Sequence, residues 1–105
     1  MDKKEKMVQE IQADIQKNKV IVFMKGNKLM PLCGFSAKVV HILNLSNVEF
    51  ETRNVLEDDL LRETIKEFSS WPTLPQLYVN GKFIGGCDIV LDLYEKGDLL
   101  EILKT

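Results

Sequence analysis

The sequence predicts one α/β domain over residues 1–105, with a four-stranded mixed sheet covered by helices on both faces. The run VIVFM at 20–24 is short, apolar and β-branched, as expected of a strand buried on both faces. Segments with helical spacing of apolar residues alternate with strands, which indicates parallel pairing through right-handed crossovers. Asn80-Gly81 lies between two alternating apolar runs and favours a tight hairpin that adds an antiparallel edge.

The first half of the chain predicts two helices around one strand. The first helix covers residues 2–18, and the strand covers residues 19–25. A loop at 26–32 leads to a second helix over 34–45. Apolar residues at helical spacing define the inward faces of these helices: Met7, Val8, Ile11 and Ile15 in the first, and Val39, Ile42 and Leu43 in the second.

The second half predicts a strand over 48–55, a helix, a hairpin over 76–86 and two short helices. Acidic residues open the third helix, where the positive helix end favours them. That helix is expected to bury Leu61, Ile65 and Phe68, and the prolines of SSWPTLP end it. Asp88 is expected either to cap the helix in IVLDLYEKG or to receive a ligand ammonium. The last helix has the sequence DLLEILK.

Composition limits the function classes. The chain is 45% hydrophobic and 29% charged with a net charge of −2, which argues against general affinity for nucleic acid or acidic membranes. No apolar run is long enough to span a bilayer, and the N-terminus lacks the apolar core of a secretory signal. The two cysteines are expected to be thiols in a reducing compartment, the cytoplasm, with the mitochondrial matrix open if a leader has been removed.

Cys33 lies where the second helix begins. The helix dipole and free backbone N–H groups favour a thiolate there, and Lys25 adds positive charge. The alternative is a small buried apolar residue, a common setting for a free cysteine. Ser36 stands where a dithiol motif has its second cysteine, so Cys33 cannot form a disulfide within its motif. The second sulfur then comes from Cys87, a partner chain or a small thiol.

Two later stretches also present candidate residues. The pair Leu74-Pro75 suggests a cis bond, which would offer the Leu74 backbone to an extended, peptide-like ligand. Cys87 in GGCD is by default a packed thiol, and Arg62 and His41 are by default solvated. One histidine and two distant cysteines give no zinc-site spacing, and no phosphate-binding loop is present.

Four motifs in order, FMKG, CGFS, WPTLPQLYVNG and GGCDI, closely resemble those of the monothiol glutaredoxins of the CGFS type. The resemblance runs from about residue 8 to the end, and it implies a thioredoxin-like fold with glutathione as the ligand. Leu32 departs from the small or polar residue that usually precedes the cysteine. The resemblance implies that eight residues bind glutathione: Lys25, Cys33, Gly34, Phe35, Arg62, Leu74, Cys87 and Asp88.

The resemblance also implies specific roles for these residues. Lys25 and Arg62 would contact the glycine carboxylate, and Leu74 would pair through its main chain. Cys87 and Asp88 would hold the γ-glutamyl end.

A metal role follows from the same resemblance. Cys33 would bind a [2Fe–2S] cluster between two subunits, so that the apo protein is a monomer and the loaded protein a homodimer. The leading interpretation is therefore a cluster carrier that donates to apo iron–sulfur proteins. Two alternatives stay open: a glutathione-dependent thiol–disulfide oxidoreductase that uses Cys33 alone, and an adaptor that shares the cluster with a BolA-like protein.

Overall fold

The computed structural model describes residues 1–105 and confirms the four-stranded mixed sheet. The helices are α1 (Lys3–Lys17), α2 (Gly34–Leu45), α3 (Asp59–Ser69), α4 (Cys87–Glu95) and α5 (Asp98–Lys104). The strands are β1 (Val20–Met24), β2 (Glu51–Asn54), β3 (Gln76–Val79) and β4 (Lys82–Gly85), and a 3-10 turn spans Val55–Glu57. The strand order is β2-β1-β3-β4, with β1 parallel to β2 and antiparallel to β3.

Strand β1 lies at the centre of both hydrophobic cores, because all five of its side chains are buried. Val20, Val22 and Met24 pack with residues of α2, α4 and α5 on one face. Ile21 and Phe23 pack with residues of α1 and α3 on the other. Helices on both faces therefore explain why the strand is continuously apolar. None of the helices combines the length and the apolar character needed to cross a lipid bilayer.

Strand β2 is shorter than the predicted 48–55. Its ladder with β1 begins at the pair Ile21–Glu51, so the residues before Glu51 have no partner in β1. At the other end, the Asn54 side chain accepts hydrogen bonds from the backbone N–H groups of Gly26 and Leu56, both at 2.9 Å. These bonds turn the chain out of the sheet into the 3-10 turn.

The expectation that Phe68 is buried was wrong. Its side chain is 37% exposed, whereas Leu61 and Ile65 are fully enclosed. Residues 61 and 65 are four apart and share the inward stripe of α3, while Phe68 lies at the border of that stripe. Its ring packs on Tyr78, at 6.4 Å between ring centroids, and leaves its other side in solvent.

The loop after β1 is tightly held at Gly26, which has a φ of +88°. A Cβ there would lie 2.3 Å from the Met30 carbonyl oxygen and 2.6 Å from the Leu32 nitrogen. Gly26→Ala is therefore expected to lower the free energy of unfolding by about 1–3 kcal/mol, since it adds a backbone clash to a left-handed conformation. Thermal and denaturant unfolding measure this change.

Gly34→Ala is the matched control, because a Cβ at Gly34 meets no atom within 4 Å. Equal stability of the two alanine variants would contradict the described loop.

Candidate functional site

A cleft of about 470 Å³ opens beside the carboxyl end of β1. It is bordered by the first turns of α2 and α4, by α3 and by the segment before β3. Seven of the eight residues predicted to bind glutathione line it: Lys25, Cys33, Phe35, Arg62, Leu74, Cys87 and Asp88. The eighth, Gly34, is exposed at the start of α2 and does not line the cleft. Binding of glutathione by these residues stays a prediction.

Cys33 is the N-cap residue of α2, and its half-buried side chain makes no capping hydrogen bond. The pKa of its thiol is lowered, first of all by the backbone N–H of Ser36. Partial burial opposes this effect, but the Phe35 N–H, the Lys25 charge and the Ser36 hydroxyl add to it. The setting therefore favours a thiolate over the alternative of a structural apolar cysteine.

Ser36 has a structural role that its sequence position did not reveal. The side chain is completely buried, and its hydroxyl oxygen accepts a hydrogen bond of 3.3 Å from the backbone N–H of Lys25. The same residue acts on Cys33 through its backbone N–H and its hydroxyl. Ser36 thus joins the end of β1 to the first turn of α2, where the sequence had indicated only the absence of a second cysteine.

Cys87 lies in the first turn of α4 and is buried, with only 8% of its surface exposed. Burial raises the pKa of its thiol, and the neighbouring Asp88 charge raises it further. The two cysteines that line the cleft are therefore unlike, since Cys33 favours the thiolate and Cys87 the neutral thiol.

The alternative that Asp88 caps α4 was wrong. The helix begins at Cys87, two residues earlier than a cap at Asp88 requires, and its N-cap is Gly86, which has no side chain to offer a cap bond. The backbone at Gly86 lies close to Trp71, since a Cβ there would be 3.1 Å from Nε1 of the indole, a tight contact. The Asp88 carboxylate therefore does not cap the helix, and it is exposed at the border of the cleft.

Charges in the cleft are unequal. Lys25, Arg62 and Lys66 supply three cations, and Asp88 supplies the carboxylate. Nε of Arg62 is buried and has no hydrogen-bond partner in the chain. Lys66 was not among the predicted site residues, although its spacing of four from Arg62 on one helix indicates a shared face.

The segment before β3 completes the cleft with Trp71, Pro72, Thr73 and Leu74. The Leu74–Pro75 peptide bond is cis, as the sequence suggested. The backbone N–H and C=O of Leu74 make no hydrogen bond within the chain. Both groups are therefore available to a ligand. Trp71, Pro72 and Thr73 were not among the predicted site residues.

Alkylation of Cys33 by iodoacetamide is expected to remain fast at pH values below the ordinary cysteine pKa, because the reactive form is the thiolate. Cys87 is expected to react only slowly at any pH at which the fold persists, since it is buried and its pKa is raised. Mass spectrometry of each cysteine peptide across a pH series measures both rates. If the alkylation rate of Cys33 reaches half its maximum at a pH at or above that of an unfolded cysteine peptide, the described N–H groups around its sulfur would be contradicted.

Comparison with known proteins identifies the family. The family model described as Glutaredoxin matches residues 20–84. A protein of Rickettsia typhi named "Probable monothiol glutaredoxin 2" is 61% identical over 94 residues, which cover 90% of this chain and 85% of that protein. The chain belongs to the monothiol glutaredoxin family. A Synechocystis protein named "Uncharacterized monothiol glutaredoxin ycf64-like" is 59% identical to this glutaredoxin over 88 residues, 84% of the chain and 82% of the relative.

Solved structures show the same fold. The solution structure of reduced poplar apo GrxS14 superposes on this glutaredoxin with a TM-score of 0.84 at 48% identity, covering 93% of this chain and 90% of that one. The crystal structure of a buckwheat glutaredoxin–glutathione complex superposes with a TM-score of 0.86 at 23% identity, covering 96% of this chain and 90% of that one. The fold of this glutaredoxin is therefore thioredoxin-like, as the resemblance implied.

Proposed function

We propose that this glutaredoxin holds glutathione in the cleft and, through Cys33, shares a [2Fe–2S] cluster with a second subunit as a carrier in iron–sulfur cluster assembly. The observation that carries the proposal is the contrast between the two thiols. Cys33 is accessible and favours the thiolate, whereas Cys87 is buried and favours the neutral thiol. One chain thus supplies one sulfur ligand ready for a soft metal.

Glutathione matches the charges of the cleft. It has a carboxylate at its glycine end, for which Lys25 and Arg62 are the candidate contacts. Its γ-glutamyl end carries an ammonium, which Asp88 can accept. Between these ends, the unpaired backbone groups of Leu74 suit an extended peptide. The thiol of a ligand in this pose would come beside Cys33.

The donor set fits a shared cluster. A [2Fe–2S] cluster is held by four thiolates, and one chain offers Cys33 alone. Two copies of Cys33 and two glutathione thiolates make up this number. When bound, the cluster is the cargo that the carrier delivers to an apoprotein. The protein's own residues would hold glutathione by its ends, and they lower the pKa of Cys33 at an open border of the cleft.

A glutathione-dependent oxidoreductase is the second candidate function. The lowered pKa of Cys33 favours it too, because a thiolate is the form that attacks a disulfide. Cys33 would take the glutathionyl group from a mixed disulfide and release the other thiol. Free glutathione would then regenerate Cys33 and leave as glutathione disulfide.

Anaerobic reconstitution tests the choice between these functions. The protein is incubated with iron, sulfide and glutathione, and its visible spectrum and iron content are measured. A carrier is expected to develop the absorbance of a [2Fe–2S] cluster at one cluster per two chains, and to turn over a small glutathione mixed disulfide poorly. Absence of a cluster together with turnover near the median enzyme kcat of ~10 s⁻¹ would favour the oxidoreductase.

Partners and compartment follow from the same proposal. The carrier is proposed to be a monomer without the cluster and a homodimer with it, to deliver to apo iron–sulfur proteins, and to share its cluster with a BolA-like protein where one is present. Both cysteines are free thiols, which favours a reducing compartment, and we propose the cytoplasm.

A further inference from the structure

We infer that two buried polar side chains, Gln76 and Tyr78, position the part of the cleft wall that would pair with glutathione, although neither residue lines the cleft. The two are here called the Gln76 clamp. Both belong to β3, and their exposed fractions are 0% and 2%. Buried polar groups are almost always hydrogen-bonded, so their partners indicate their role. The inference deepens the proposed function and rests on it for the ligand, glutathione.

The side-chain amide of Gln76 holds two carbonyl groups of the segment before β3. Its Nε2 donates to the carbonyl oxygens of Trp71 and Thr73, each at 3.2 Å. No other group of the chain donates to either oxygen, and the backbone of residues 72–75 makes no further hydrogen bond. The Gln76 amide is therefore the only hydrogen-bond partner in the chain for the backbone of residues 72–75.

The phenol of Tyr78 fixes the orientation of this amide. Its hydroxyl donates to Oε1 of Gln76 at 3.2 Å. Burial raises the pKa of Tyr78 to about 12, so the hydroxyl is protonated at neutral pH and can donate. The opposite orientation of the amide would set Oε1 against two carbonyl oxygens, which are acceptors only. The phenol therefore directs the amide nitrogen of Gln76 at the segment before β3.

The other end of this segment is attached to α3. The backbone N–H of Trp71 donates to the Ser69 hydroxyl oxygen and to the Lys66 carbonyl, both at 3.1 Å. Helix α3 also carries Arg62, a candidate contact for the glycine carboxylate of glutathione. The Gln76 clamp therefore fixes the unpaired backbone of Leu74 relative to a cation that would contact the same ligand.

Loss of the clamp is expected to weaken glutathione binding because the segment would leave its binding position. Without the amide of Gln76, the two carbonyl groups have no donor in the interior, and unpaired backbone groups turn to water. Leu74 would then occupy its present position for only part of the time. The apparent dissociation constant rises by the inverse of that fraction. Two hydrogen bonds of ordinary net strength correspond to a factor of about ten.

The test compares Gln76→Met with Val79→Ala. Methionine is unbranched like glutamine and fills a similar space, but it has no amide. Val79 is buried on the other face of the same strand, where it packs with residues of α2, α4 and α5. Its truncation therefore lowers the stability of the fold without touching the clamp. Thermal melting ranks the stabilities, and NMR titration of the apo proteins with glutathione measures the dissociation constants.

Gln76→Met is expected to raise the dissociation constant of glutathione about tenfold, whereas Val79→Ala is expected to bind like the wild type despite its lower melting temperature. Tyr78→Phe removes only the hydroxyl and is expected to raise the constant about threefold. It decides the question if Gln76→Met does not fold. A folded clamp variant that binds glutathione as tightly as Val79→Ala overturns the inference.

A second readout needs no glutathione, because Trp71 is the only tryptophan of the chain and lies in the segment. Acrylamide is expected to quench its fluorescence more strongly in the clamp variants than in Val79→Ala, since the segment is less firmly held. Weaker binding without stronger quenching overturns the inference, because the loss would not act through the segment.

The two readouts also separate the inference from the proposed function. If the wild type binds no glutathione, the proposed function fails and the quenching of Trp71 alone decides on the clamp. Stronger quenching in Gln76→Met than in Val79→Ala then supports the clamp as the group that holds the cleft wall. Equal quenching in the two variants overturns it.

Discussion

Cys33→Ser is expected to abolish the visible iron–sulfur spectrum after anaerobic reconstitution and to leave the fold intact. A serine hydroxyl is a poor replacement for a thiolate on iron, whereas serine is a favoured residue at the N-cap position that Cys33 occupies, so α2 should keep its start. Iron content should fall to background because, in the proposed carrier, each chain contributes only this ligand. Absorbance, iron analysis and a melting curve on the same sample measure the three quantities.

Cys87→Ser is the matched control, since it makes the same chemical change at the other cysteine of the cleft. Its thiol is buried and has a raised pKa, so the cluster should still form while glutathione is retained less tightly. A full visible spectrum in the Cys33→Ser protein, or its loss only in the Cys87→Ser protein, would show that the metal ligand is misassigned.

Lys25→Ala is expected to move cluster assembly to glutathione concentrations between about tenfold and about a hundredfold higher. The physical reason is the loss of the proposed charged hydrogen bond to the glycine carboxylate, and such a bond contributes roughly 1.5–3 kcal/mol. The backbone N–H of Lys25 still donates to Ser36, so the end of β1 keeps its position. A titration of reconstituted absorbance against glutathione measures the shift.

Lys19→Ala is the control for this titration. Lys19 is exposed beside the opposite end of β1, and it does not line the cleft. The variant makes the same change in net charge, so long-range electrostatics are matched. If both variants shift the curve equally, the effect is one of overall charge and Lys25 is not a glutathione contact.

The sheet and most of the cleft could be predicted from the sequence, because the signals are local. Continuous apolarity marked β1 as a strand covered on both faces, and Asn80-Gly81 marked the hairpin. Cys33 at the start of a helix was equally local, and the structure places it at the N-cap.

Predictions failed where a contact distant in sequence decides the outcome. The end of β2 depends on a side-chain bond from Asn54 to Gly26, 28 positions away. Asp88 failed as a cap because the N-cap of α4 is Gly86, two residues earlier, where the backbone lies close to Trp71. Lys66 lies one helical turn after Arg62, and its place in the cleft depends on which face of α3 borders the cleft.

The burial of Ser36 shows the same limit at the site itself. The sequence indicated only that Ser36 replaces the second cysteine of a dithiol motif. In the structure it is enclosed and bonded to the backbone of Lys25 on another element. Such a role depends on the packing of α2 against β1, which a motif does not describe.

Removal of glutathione from the holo protein tests the central claim most directly. If two of the four cluster thiolates come from glutathione, assembly should rise with the square of free glutathione by mass action. Anaerobic sizing chromatography at several glutathione concentrations, with iron measured in each peak, follows both quantities. The proposal predicts that desalting releases iron and returns the protein to monomers together. A holo dimer that keeps its iron after thorough removal of glutathione would contradict it, because all four ligands would then be protein groups.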